Sequence, residues 1–155
     1  MIYFKKELWQ KMQELNNESV NDIWCNNINE YNSKFLNIKK KLPSKFIKIF
    51  EKENGFHDYI ISDIRLKSFF NATSKNKSNI ELEIENGSNH YVITLINVKS
   101  CNINIFSKDN CISGNMSWGY TEFDVLDNKK IRMSILCDIE NEFDWVFENI
   151  KIIEL

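Results

Sequence analysis

The sequence predicts an α+β protein in which N-terminal helices pack on one face of a curved, mainly antiparallel sheet of six to seven strands. Apolar residues recur every three or four positions in much of residues 1–55, and every second position in much of residues 56–155. The second half also shows strand patterns without intervening helices, which is typical of antiparallel rather than parallel sheets. We therefore expect a single domain over residues 1–155, helical over 1–55 and sheet over 56–155.

Three helices are expected in the first third of the chain. An apolar stripe from Phe4 to Leu15 indicates the first, and a longer stripe that starts near Ser19 and reaches Ile38 indicates the second. Pro43 ends the second helix, because proline disfavours helical geometry in the residue before it. A short third helix follows and is closed by Asn54-Gly55, residues that tolerate the left-handed conformation of a helix C-cap.

The strands are indicated by alternation and by turn residues. Residues 80–85 alternate between isoleucine or leucine and glutamate, which is typical of a strand with one buried and one wetted face. Asn86-Gly87 then indicates a tight turn. Residues 143–147 and 150–152 carry apolar side chains in opposite phases, so a β-bulge near Glu148 is predicted to return both sets to one face.

The predicted core joins the inner faces of the second and third helices to the sheet, because both helical stripes need a sheet face. Its members are expected to be Trp24, Phe35, Phe46 and Phe50 from the helices, and Ile93, Leu95, Ile103 and Ile135 from the strands.

Charge and composition exclude several classes of function. Hydrophobic residues make up 43% and charged residues 27% of the chain, and the net charge of −2 favours neither nucleic-acid nor membrane binding. Residues 1–77 carry 14 basic and 9 acidic side chains, whereas residues 78–155 carry 6 and 13. These halves are expected to attract one another within the fold, or to face different partners. With no apolar run of membrane-spanning length, the protein is expected in the cytoplasm.

No cofactor or metal is expected. The four glycines do not occur in phosphate-loop spacing, and the histidines and cysteines lack the closely spaced pairs of a zinc site. In a cytosolic chain Cys25, Cys101, Cys111 and Cys137 are expected to be free thiols, with Cys101 and Cys137 on inward strand positions.

Five residues form the candidate binding or structural cluster, and no catalytic residue is assigned. They are His57, Asp58, Trp118, Tyr120 and Glu122. His57 and Asp58 could form an oriented imidazole–carboxylate pair, but adjacent strand residues point to opposite faces, so they need not meet. Trp118, Tyr120 and Glu122 share a strand face that either binds a ligand or lies in the core. In the structural alternative the cluster is a closed polar network, and in the functional one it lines a pocket or patch.

Three segments resemble, in order, a family of bacterial proteins described only as a domain of unknown function. They are the start Met1-Ile-Tyr-Phe-Lys-Lys-Glu-Leu-Trp9, the central Gly55-Phe-His-Asp-Tyr59 that follows Leu42-Pro43, and the late Trp118-Gly-Tyr-Thr-Glu-Phe123. The resemblance implies the same fold and localisation and no particular activity. The late segment is also similar to the closing hairpins of small toxin-immunity proteins, although Ile131-Arg132-Met133 lacks the histidine that this similarity implies.

The leading hypothesis is therefore a non-catalytic intracellular protein-binding module, immunity-protein-like, whose acidic sheet half faces a basic protein partner. The alternative is a small-ligand-binding protein or minor enzyme with a pocket between helices and sheet, near His57, Asp58 and Glu122. A flat acidic sheet face favours the first hypothesis. A deep apolar cavity with convergent polar groups favours the second.

Overall fold

The computed structural model describes residues 1–14, 18–69, 77–104, 116–127, 129–137 and 141–155. Within these ranges the chain begins with three α-helices and continues with nine strands. The helices are α1 (Lys6–Glu14), α2 (Glu18–Ile38) and α3 (Ser44–Lys52), with short 3₁₀ turns at Lys39–Lys41 and Asn54–Phe56. The strands are β1 (Ile60–Phe69), β2 (Lys77–Asn86), β3 (Asn89–Ile96), β4 (Ser100–Asn104), β5 (Met116–Ser117), β6 (Tyr120–Asp127), β7 (Lys130–Leu136), β8 (Glu142–Phe147) and β9 (Asn149–Glu154). Among the helices so described, none is long and apolar enough to cross a membrane.

The strands form two antiparallel sheets. One has five strands in the order β5-β1-β2-β3-β9, and the other has four in the order β4-β8-β7-β6. The predicted α+β class, with helices first and antiparallel strands after, is confirmed. The number of strands differs from the prediction, which placed six to seven strands in one sheet, whereas the described residues form nine strands in two sheets.

The division into two sheets arises where the chain passes Glu148. β8 pairs with β7 in the four-stranded sheet, whereas β9 pairs with β3 in the five-stranded sheet. Trp145 of β8 and Ile150 of β9 are both fully buried in the same core. Where a bulge was predicted near Glu148, the chain therefore crosses from one sheet to the other. The crossing buries the apolar side chains of β8 and of β9 in the same core, although they do not share one face of one sheet.

A bulge does occur in β1. The register with β2 shifts between Ile61 and Asp63, so that Ile61 lies opposite Ile84 and is buried. From the apolar residues of this segment one would expect Ile60, Ile64, Leu66 and Phe70 to share the buried face, but Ile61 takes the core position and Leu66 is 68% exposed. Phe70 lies outside the described residues.

Two groups of buried side chains hold the layers together. The larger group joins the inner faces of both sheets to α3, and it includes Phe46, Phe50, Ile93, Leu95 and Ile135, as predicted. The smaller group differs from the prediction, since Trp24 packs with Phe4, Tyr31 and Leu136. Phe35 contacts both groups.

The predicted inward positions on β4 are wrong because β4 is an edge strand. Ile103 is 37% exposed, and Cys101 is also exposed. Cys137, which follows β7, is buried as predicted. All three described cysteines, including the exposed Cys25, are free thiols, and Cys111 lies outside the described residues.

The other edge of the four-stranded sheet is covered by α2. The Phe123 N–H of β6 donates a hydrogen bond of 2.6 Å to the hydroxyl oxygen of Tyr31. Lys34, one turn further along α2, lies 3.3 Å from the Asp124 carboxylate. Covering a strand in this way satisfies backbone groups that an open edge leaves unpaired.

Basic and acidic side chains from the two halves of the chain pair on the outer face of the five-stranded sheet. Lys67 of β1 lies 2.6 Å from the Glu81 carboxylate of β2, and Arg65 pairs with Glu83. His90 of β3 lies 2.9 Å from Glu83 on its other side. The glutamate row of β2 is therefore largely paired within the fold.

Candidate functional site

The two segments that carry the predicted cluster meet before β1 and β6. The Asp58 N–H donates to the Trp118 carbonyl at 2.8 Å, and the Trp118 N–H donates to the Tyr59 carbonyl at 2.6 Å. These bonds place the His57 ring 5.2 Å from the Tyr120 ring, edge to face. Residues that are about sixty positions apart in the sequence thus form one contact surface.

The backbone around His57 is unusual because it turns repeatedly through left-handed geometry. Asn54, Phe56 and Asp58 have φ values of 49°, 63° and 68°, and Gly55 between them has 69°. Asn and Asp tolerate this geometry, so the strain falls mainly on Phe56, whose fully buried ring is held in place by the surrounding packing. Strain of this kind concentrates at functional sites.

His57 and Asp58, whose contact the sequence left open, do meet. The His57 Nδ1 lies 3.0 Å from the Asp58 carboxylate. Both residues precede β1 and lie in the strained turn, so strand geometry does not separate them. The Asp58 side chain is 78% exposed and that of His57 is 33% exposed, so the pair lies at the surface.

Trp118 is a core residue whose contacts are all within the fold. It is fully buried, and its indole N–H donates to the Thr121 hydroxyl oxygen at 2.7 Å. Gly119 next to it allows a close approach, since a Cβ there would lie 2.6 Å from the Leu136 carbonyl oxygen.

Glu122 binds the segment that precedes α1. Its carboxylate accepts hydrogen bonds from the backbone N–H groups of Ile2, Tyr3 and Phe4, at 2.8, 2.6 and 2.6 Å. The residue is 7% exposed, so these three donors replace the water that a buried carboxylate loses. Among the described residues, Glu122 therefore organises the N-terminal segment and makes no bond to His57 or Asp58.

His57 and Tyr120 line an open cleft of about 630 Å³ between the helices and the four-stranded sheet. Its lining comprises Phe4, Ile28, Tyr31, Asn32, Phe35, Leu36, Lys39, Phe50, Glu51, Asn54, Gly55, His57, Gly119, Tyr120 and Thr121. The volume lies within the range of small-molecule sites, roughly 300–1,000 Å³.

Aromatic rings from four parts of the chain form much of the cleft. Phe4 stacks on Tyr120 at 5.1 Å, and Phe35 of α2 contacts both Tyr31 and Phe50, at 5.8 and 6.0 Å. Burial raises the pKa of Tyr120 and that of Tyr31, so both phenols are neutral at physiological pH.

The polar lining groups stand at the rim. Lys39 Nζ, in the 3₁₀ turn that follows α2, lies 2.7 Å from the Glu51 carboxylate of α3, so this pair joins the end of one helix to the other. Asn32 and Asn54 present exposed amides on either side. The sequence analysis missed Phe4, Phe35 and the Lys39–Glu51 pair as site residues, because only the packing of α2 against β6 brings them together.

Two hydroxyl groups of the lining are hydrogen-bonded within the fold. The Tyr31 oxygen accepts from the Phe123 N–H at 2.6 Å, and the Thr121 oxygen accepts from Trp118 Nε1 at 2.7 Å. Over the described ranges, no group of three or more His, Cys, Asp or Glu side chains could hold a metal ion.

Comparisons of this chain with protein-family models, with curated proteins and with solved structures find no match.

Proposed function

We propose that this protein is a non-catalytic binding protein whose recognition site is the cleft between α2, α3 and β6, and that its ligand is a small organic molecule. The observation that carries the proposal is a cleft of about 630 Å³ with aromatic walls and a polar rim. Ligand pockets typically combine such a lining with a few placed polar groups. His57 and Tyr120 are the predicted cluster residues that line this cleft.

The surroundings of the individual cluster residues support the same site. Trp118 is a core residue and Glu122 binds the N-terminal segment, so their environments account for them. His57 has no comparable role, since it is part-exposed and its Nε2 has no hydrogen-bond partner among the described residues. A side chain with an unused polar atom, held beside a strained turn, is available to a ligand.

Binding of a basic protein partner remains a prediction. The ion pairs on the outer face of the five-stranded sheet argue against a partner that binds the glutamates there. Glu81 and Glu83 are already paired with Lys67, Arg65 and His90. A basic partner would have to displace these cations, which lessens the electrostatic gain from association.

The test is a titration of the isotope-labelled protein with phenol, indole and quinoline, followed by ¹H–¹⁵N correlation spectra. The amide resonances of Asn32, Gly55, His57 and Gly119 should shift together. Asn32→Trp should weaken this binding at least tenfold, because an indole at this exposed position fills the cleft from its rim.

Asn26→Trp is the matched control. Asn26 is exposed on the same helix and does not line the cleft, so its replacement should leave the affinities unchanged. The proposal is wrong if both variants bind like the parent protein, or if the shifted amides lie on the outer face of the five-stranded sheet.

A further inference from the structure

We infer that the cleft selects ligands with an uncharged aromatic ring, an inference that rests on the proposed function. The first reason is the composition of its walls. Phe4, Tyr31, Phe35, Phe50 and Tyr120 all line the cleft. Aromatic rings pair favourably with another ring in offset-stacked or edge-to-face geometry, so a planar ring gains more here than an aliphatic group of equal volume.

The second reason is that the charged groups of the lining are already neutralised. Lys39 and Glu51 are 2.7 Å apart, so each is the other's counter-charge. The His57 imidazole has the Asp58 carboxylate at 3.0 Å. A charged ligand would lose hydration on entering an aromatic cleft and would find no unpaired counter-charge unless one of these pairs opened.

The third reason is that the lining also carries uncharged polar groups. They are the side-chain amides of Asn32 and Asn54, both exposed residues. Neutral donors and acceptors in these positions can bind a ring nitrogen, hydroxyl or carbonyl at the edge of a ligand while its faces contact the walls.

Three compounds with the same indole ring but different charges show how ligand charge affects the affinity. Indole is neutral, tryptamine is a cation and indole-3-acetate is an anion at pH 7. Measured by isothermal titration at low ionic strength, indole should bind at least tenfold more tightly than either charged compound. Binding of either charged compound as tightly as indole would overturn the inference, while cleft binding itself, and with it the proposed function, would stand.

The Lys39–Glu51 pair supplies a second, independent measurement. Glu51→Gln removes the counter-charge of Lys39, so the affinity of indole-3-acetate should rise about tenfold relative to that of indole. Glu30→Gln, an exposed change in α2 outside the cleft, should leave this ratio unchanged. An unaltered ratio in Glu51→Gln would show that pairing does not set the charge preference. If none of the three compounds shifts the cleft amides, the proposed function fails as well.

Discussion

Gly119 shows how a single residue sets the geometry beside the cleft. Its N–H donates to the Leu136 carbonyl at 3.0 Å, which holds the start of β6 against the end of β7. An added Cβ would lie 2.6 Å from that oxygen and 2.7 Å from the Cys137 carbonyl oxygen. Both atoms are backbone, so neither can move without shifting β7.

Gly119→Ala should therefore destabilise the protein by about 3 kcal/mol, at the upper end of overpacking costs. Gly87→Ala is the matched control, because a Cβ there meets nothing within 4 Å and the cost comes from its φ of +60° alone, about 1 kcal/mol. Urea unfolding followed by circular dichroism measures both. A smaller loss for Gly119→Ala than for Gly87→Ala would contradict the close approach.

At the scale of elements, α2 protects an exposed edge. Among the described strands β6 pairs with β7 alone, and on its other side the Tyr31 hydroxyl oxygen accepts a hydrogen bond from the Phe123 N–H. Tyr31 is buried, so water cannot replace this acceptor. One hydroxyl therefore couples the position of the helix to that of the strand.

Tyr31→Phe should cost ~1–3 kcal/mol of unfolding free energy, since it leaves a buried N–H without a partner. Hydrogen exchange at the Phe123 amide should accelerate with it. Tyr3→Phe is a suitable control, because it removes a hydroxyl that is not the partner of a β6 amide. Equal exchange at Phe123 in both variants would mean that α2 does not cover the edge through this bond.

Elements were predictable from the sequence where their signal is local. The periodicity of α2, the proline before α3 and the alternation of β2 all concern neighbours along the chain, and the three elements are present. The sheet to which β9 belongs was not predictable, because β3 lies far away in sequence. The cleft was missed in its details for the same reason. His57 and Tyr120 were chosen from local pattern together with the family resemblance, whereas Phe35 and Glu51 join them only through the packing of α2 and α3.

At the scale of the whole molecule, one carboxylate ties the helical layer to the five-stranded sheet. Glu53, which follows α3, accepts hydrogen bonds from the hydroxyls of Tyr59 and Tyr91, at 2.6 and 3.0 Å, and from Lys52 at 2.7 Å. The Lys52 bond, together with the two phenols, lowers the pKa of Glu53 from 4.5 to about 2. Its side chain is 10% exposed.

Stability should therefore fall in acid. The pKa of Glu53 is lower in the folded state than in the unfolded state, so its contribution is complete above pH 4.5 and is lost as the pH falls towards 2. Glu53→Gln should lower stability at pH 7 and flatten the pH dependence between these limits. Thermal melts at each pH, with Glu30→Gln as the control, measure this. A variant with the parent's acid profile would contradict the assignment.

The crossing at Glu148 also affects the order in which the strands can pair during synthesis. Strands leave the ribosome in chain order, and β3 ends at Ile96, whereas its partner β9 begins at Asn149. Until β9 is made, β3 has a row of unpaired backbone groups that another chain could pair with. The five-stranded sheet cannot be completed until β9, its last strand, is made after β8. Pairing between segments so far apart in sequence is also slow, which prolongs the exposure of β3.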